Sequence, residues 1–331
     1  MDPNFKIITM AVRTYSKLGF LLGSFLLIGS LTYGQLEPQY TQYMYNIGSF
    51  NPGYVGSVEQ AEIAGLYRAQ WIDIDGAPRT LRFGANIPMA NGKNGLGFNV
   101  ISDQLGPTSQ TFFDVSYSYQ IKFSEDTYLS FGIDAGGGIL DIDFTKGSFQ
   151  ETEPLLNSTT VFNKFYPTVG AGMFLYSDDW YLGASAPNFL TGITKDEEIE
   201  ALFNDRIQVN FIGGVVFELS DRLKFKPAFL ASFFEGLPLR LDISANFLIN
   251  DIFTVGAGYR IDNAVSGLAG FQVSSGMFLG YAYDYNTTSL GQYNQGSHEI
   301  ILKFFLGEGG DGNKSKSKKG KPKQIDTPRF F

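Results

Sequence analysis

The chain has 331 residues, with 25 Lys and Arg, 33 Asp and Glu, one His and no Cys, giving a formal net charge of −8 at pH 7. The missing cysteines exclude disulfides, thiolate metal sites and a Cys nucleophile, and a lone histidine, His298, cannot build a His-based metal cluster. Aromatics reach 15% (31 Phe, 18 Tyr), glycines number 39, and charged residues fall to 18%, where an average soluble domain has about 25%. That balance suits a β-rich protein, and in particular a barrel whose lipid-facing wall tolerates few charges.

At the N-terminus, Lys6, Arg13 and Lys17 precede or open an apolar stretch from Leu18 to Leu31. Thr32 and Gly34 then place small residues where a signal peptidase would cut before Gln35, so residues 1–34 are predicted to be a secretory signal. A signal anchor is the alternative. No other run of ~18 apolar residues follows. A membrane-spanning form of the mature chain must therefore be a closed barrel, which leaves no backbone polar group facing lipid.

Residues 35–58 hold the stretch QYTQYMYNIGSFNPGYVGS, from Gln39 to Ser57, rich in Tyr, Asn and Gln. Such side chains combine packing area with hydrogen bonding, as a segment inside a wet barrel needs. The expectation is a plug folded into or under the periplasmic mouth, with Asn51-Pro52 forcing a turn before the first strand. A simple periplasmic lead-in is the alternative.

From residue 59 to 307 the dominant period is two. In LDISANFLI, Leu241, Ile243, Ala245 and Phe247 alternate with Asp242, Ser244 and Asn246. In FFDVSYSYQIKF, Phe113, Val115, Tyr117, Tyr119, Ile121 and Phe123 alternate with polar residues. Period two puts the two sets on opposite faces of a sheet. Fourteen segments follow the rule: 60–72, 79–88, 94–103, 108–123, 127–144, 164–176, 180–187, 206–219, 223–234, 239–250, 252–262, 267–274, 276–285 and 297–306. The twelfth is short and weakly patterned. Most run ~9–15 residues, long enough for tilted strands to cross a bilayer and longer than the ~5–6 of soluble strands. The even connections (MANGK, SED, SDD, SDR, Asp251, Ser275) are all short, whereas the longest are all odd: 145–163, 188–205 and 286–296. Outer-membrane barrels alternate short periplasmic turns with longer outer loops in this way. The fold class is therefore an all-β, transmembrane, up-and-down antiparallel β-barrel of about 14 strands. A secreted sandwich with one solvated face is the alternative, and it predicts short strands without loop parity. Within the fifth segment the apolar set moves from Leu129, Phe131, Ile133 and Ala135 to Leu140, Ile142 and Phe144 across Gly136–Gly138, a phase slip that reads as a bulge or sharp bend.

Residues 308–331 lose all periodicity. From Gly309 the tail has six Lys and one Arg against two Asp, net +5, whereas 35–308 has fifteen cations against thirty acids, net −15. The tail reads as flexible, either a solvated charge run or an arm steered toward an acidic periplasmic partner. Nucleic acid is not an expected target. The closing Pro328, Arg329, Phe330 and Phe331 read as a short docking element or an uninformative end.

Enzymatic chemistry finds little support. Gly136–Gly138 lies in a strand and lacks the Lys-Ser/Thr of a phosphate loop. Asp73–Gly76 resembles part of a calcium loop, but the first and twelfth places fall on Trp71 and Arg82. Asp141/Asp143 and Glu197/Glu198 are ordinary loop carboxylates, and Ser297 is turned away from His298 by strand geometry. No catalytic residue, metal or cofactor is expected.

One resemblance emerges. Gln39, Tyr40, Gln42, Tyr43, Asn46, Asn51, Pro52, Tyr54, Gly56 and Ser57 resemble the opening Q-x-x-Q-Y-x-x-N-x-x-x-x-N-P-x-x-x-G-S signature of the PorP/SprF family, and the closing TPRFF looks like that family's ending. The resemblance implies an outer-membrane barrel linked to the type IX secretion system of gliding and related bacteria. It also implies partners: other secretion components, the C-terminal domains of large secreted adhesins, periplasmic lipoproteins and outer-membrane lipid. On this reading Gln39, Tyr40, Gln42, Tyr43, Asn51, Pro52 and the terminal Pro328–Phe331 are the candidate plug or partner-binding residues. A channel for small or hydrophobic solutes is the alternative function.

Overall fold

A computed structural model describes residues 38–90, 92–143, 161–191 and 207–306. The predicted signal, the tail with Pro328, Arg329, Phe330 and Phe331, and most of the two long loops lie outside them. From Gln39 on, the described chain forms one compact unit. Its strands are β1 (Ala61–Ala69), β2 (Arg79–Pro88), β3 (Asn94–Leu105), β4 (Thr108–Lys122), β5 (Tyr128–Asp143), β6 (Val161–Tyr176), β7 (Trp180–Thr191), β8 (Gln208–Val215), β9 (Phe217–Ser220), β10 (Leu223–Phe234), β11 (Arg240–Ile249), β12 (Phe253–Arg260), β13 (Ala264–Ser274), β14 (Met277–Asn286) and β15 (Ser297–Leu306).

Consecutive strands pair antiparallel, and β1 pairs with β15 from Ala61↔Leu306 to Ala69↔His298, which closes the ring. Closure removes the free sheet edges that lipid would not tolerate. β8 and β9 both pair with β10, so they are two parts of one wall strand and the barrel has fourteen. The predicted eighth segment is therefore interrupted at Val216, whose N–H turns to the carbonyl of Asp179. The break lies opposite Lys226 and Pro227 on β10, between the pairs Gly214↔Ala228 and Phe217↔Phe225. Proline has no N–H to give to a ladder, so pairing lapses beside it. The weakly patterned twelfth segment is a full strand of 11 residues, β13.

The two faces differ sharply. Leu81, Phe83, Phe98, Phe131, Ile133, Phe211, Ile243, Val255, Leu279 and Ile300 are exposed on the outside, whereas Glu62, Arg68, Arg82, Asn99, Asp134, Asn210, Lys226, Asp242, Asn246, Arg260, Asp284, Glu299 and Lys303 are buried inside. An apolar exterior around a polar interior is the arrangement for a wall solvated by lipid. No helix among the described residues is long and apolar enough to cross a membrane; the strands cross it.

The expected bulge at Gly136–Gly138 is absent. Gly136, Gly137 and Gly138 pair one-to-one with Asp114, Phe113 and Phe112 on β4, and with Thr168, Pro167 and Tyr166 on β6. Side chains keep their faces; the surroundings change instead. Outward positions on β5 run Leu129, Phe131, Ile133, Ala135, Gly137, Ile139, then Asp141 and Asp143, while the buried inward positions become Leu140 and Ile142. Neighbouring strands change at the adjoining level: Val100 to Ser102 on β3, Phe113 to Thr111 on β4, Phe165 to Asn163 on β6. That line marks where the wall leaves the apolar band. The glycines make room for rings of β6, since a Cβ at Gly138 would stand 2.2 Å from Tyr166 and one at Gly137 would stand 2.3 Å from Phe165.

Candidate functional site: the segment inside the barrel

Residues 40–58 lie within the ring as three short 3₁₀ turns, Tyr43–Tyr45, Ile47–Ser49 and Pro52–Tyr54. Their burial is nearly complete: Gln42 is 0% exposed, Asn51 1%, Val55 1%, Tyr43 2% and Tyr54 2%. Asn51 caps the third turn by accepting the Gly53 N–H (2.8 Å) on its side chain, and Pro52 occupies the first helical position, where its missing N–H costs nothing.

One end of the segment meets charge. Glu299 accepts the backbone N–H groups of Thr41 and Gln42, both at 2.8 Å. The Thr41 hydroxyl donates to Asp284 (2.6 Å) and accepts from Arg68 Nη1 (2.7 Å). Arg68 itself pairs with Asp284 at 2.7 Å and Glu299 at 3.0 Å. Arg260 joins from β12, bonding Asp242 at 2.6 Å and lying 3.7 Å from Asp284. A second group forms around Glu62, which pairs with Lys303 (2.9 Å) and accepts from Asn86 (2.7 Å) and from the Tyr54 hydroxyl (3.2 Å). On β11 the Tyr43 hydroxyl meets Ser244 at 3.0 Å.

The other end meets bare backbone. A Cβ on Gly132 would stand 2.2 Å from the Pro52 carbonyl carbon, one on Gly95 2.2 Å from Gly56 Cα, and one on Gly172 2.2 Å from Asn51 Oδ1. The segment thus rests directly on β3, β5 and β6. Asn51 Nδ2 donates to the Met173 carbonyl (2.9 Å), and Ser185 donates to the Phe50 carbonyl (2.6 Å). Gln42 finds the equivalent place on β14, where a Cβ on Gly280 would stand 2.3 Å from its Oε1.

These contacts span the lumen. Arg68, Asp284 and Glu299 each lie within two residues of the strand end that carries the long connections, whereas Gly95 is one residue from the short-turn end of β3. The segment is thus not confined to the short-turn mouth. Of the signature residues, Gln42, Tyr43, Asn51, Pro52 and Gly56 all touch the wall; Tyr40 packs edge-on against Phe50 at 5.8 Å, and Gln39 is half-buried. Arg68, Glu62, Asp284, Glu299 and Lys303 escaped the sequence reading. Their signal was available as alternating charged positions on the first and last strands, which only a polar interior accommodates. Among the described residues no group of acids and His is arranged to hold a metal.

The family model for the type IX secretion system membrane protein PorP/SprF matches residues 32–304. The chain belongs to the PorP/SprF family. The match takes in the lumenal segment and almost the whole barrel, and with the lipid-facing wall it puts this PorP/SprF protein in the outer membrane, in a type IX secretion role. No curated protein matches the chain. Among solved structures, it is similar to the CymD monoaromatic hydrocarbon channel (TM-score 0.49, 11% identity, 81% of this chain and 94% of that one). It is also similar to the Acinetobacter baumannii outer membrane protein Omp33 (0.44, 9%, 75% and 98%) and to a Pseudomonas aeruginosa FadL homologue (0.39, 12%, 82% and 94%).

Proposed function

We propose that this PorP/SprF protein is a closed outer-membrane scaffold of the secretion system, supporting secretion or surface attachment of large adhesins through protein–protein binding, with no bond chemistry and no cofactor. The observation that supports a closed scaffold is the buried segment 40–58, which runs the length of the lumen where a channel would need water. By the parity of its connections, the short-turn end faces the periplasm and the long-loop end the outside. The loops 145–163 and 188–205 then serve as the contact for an adhesin C-terminal domain, and the basic tail serves as the contact for a periplasmic lipoprotein; most of the loops and the whole tail lie outside the described residues. Two measurements test the reading. Full-length protein reconstituted in liposomes is expected to show no steady single-channel current and no solute-driven swelling; a steady open pore would favour the channel alternative. A mild-detergent pull-down from outer membranes is expected to bring down secretion components and a large adhesin.

A further inference from the structure

The polar bonds of the lumenal segment are not spread evenly around the ring. They concentrate where the first strand meets the last. Three ion pairs link β1 to the final hairpin: Arg68–Glu299, Arg68–Asp284 and Glu62–Lys303. All three carboxylates in them also accept from the segment: Glu299 from the Thr41 and Gln42 amides, Asp284 from the Thr41 hydroxyl, and Glu62 from the Tyr54 hydroxyl. We propose that residues 41–54 are the latch of the barrel, so that docking of the segment and closure of the β1–β15 seam are one cooperative event.

The argument is electrostatic. Arg68 and Arg260 are shared among three carboxylates, Asp242, Asp284 and Glu299, all buried. Buried carboxylates demand donors. The segment provides three at short range, two backbone amides aimed at Glu299 and a hydroxyl aimed at Asp284. If they are lost while the rest of the segment stays docked, Glu299, 0% exposed in the docked form, has no open surface through which water could replace them. Separating β15 from β1 to admit water then becomes the favourable response. On the opposite side of the lumen the segment meets mostly glycines, carbonyls and the Ser185 hydroxyl, and the bonds described there involve no charged group. The latch goes beyond the scaffold reading, since a segment can fill a lumen without holding a seam shut.

The natural absence of cysteine makes the test clean. Thr41→Pro removes the N–H and the hydroxyl together. In full-length protein in micelles, hydrogen exchange of the β1 and β15 amides is expected to rise at least about tenfold, with β4 and β5 unchanged. Unchanged exchange at the seam, or an equal rise in every strand, overturns the latch. A second variant adds Gly65→Cys and Leu302→Cys, directly opposed on the outer face of the seam; a Cβ at Gly65 meets no atom within 4 Å. Oxidation of this pair is expected to restore slow exchange in the Thr41→Pro background. If Thr41→Pro alone does not assemble, the oxidised pair is expected to rescue assembly. Failure of the disulfide to restore either property overturns the proposal.

Discussion

The lumenal segment is held in two different ways on its two sides. Toward β14, β15, β1 and β2 it is held by charge: Arg68, Asp284, Glu299 and Glu62 bond Thr41, Gln42 and Tyr54. Toward β3, β5 and β6 it is held by closeness of backbones, with Gly95, Gly132 and Gly172 leaving no space for even a methyl group. Charge tolerates small shifts of geometry but punishes the loss of a partner. Shape tolerates no added atom, and its contacts here are with uncharged groups. One protein therefore uses two kinds of specificity on one segment. The part of the signature that names Asn51, Pro52 and Gly56 belongs to the shape side.

Substitutions on either side sharpen this contrast, and the largest effect belongs to shape. Gly132→Leu would drive a side chain through the Pro52 backbone. The expected result is loss of the SDS-resistant, heat-modifiable folded form on gels; a variant that keeps this form would show that the segment yields easily and would break the comparison. Arg68→Ala comes next. It leaves Asp284 and Glu299 buried without their shared cation, and reversible denaturant unfolding in micelles is expected to show a loss of about 3–5 kcal/mol. A loss near that of a surface pair would mean that the carboxylates are not buried as charges. Tyr43→Phe is the smallest. It removes one hydroxyl contact with Ser244 on β11, and the same unfolding measurement is expected to register about 0.5–1.5 kcal/mol.

Much of the wall was legible in the sequence because period two is a direct record of which side meets lipid. The alternation at Leu241–Phe247 and Phe113–Phe123 is present in the strands, and the longest connections are all odd while the even ones are short. What failed had physical causes. The phase slip at Gly136–Gly138 reads as a bulge or sharp bend, but the register there is unbroken; the chain passes from lipid into water, which inverts the pattern without moving a side chain. The break at Val216 was hidden because its cause, Pro227, lies on the neighbouring strand. The depth of residues 40–58 was illegible for a similar reason. Their sequence is uncharged, and the charges that hold them sit from 8 to 258 positions away, on β1, β14 and β15.

The line along which the outer face turns polar has a consequence for the surface of the cell. β5 and β6 each have 16 residues and β12 only 8. At about 3.3 Å per residue β5 is ~53 Å long; tilted by about 40° it rises ~40 Å, beyond the ~25 Å height of a barrel's greasy belt. Beyond Ile139 on β5, Leu140 to Asp143 stand past the apolar line as a parapet, paired without interruption to β4 and β6. A large protein arriving from outside would meet a lopsided rim rather than a level one, and could seat against it in few orientations.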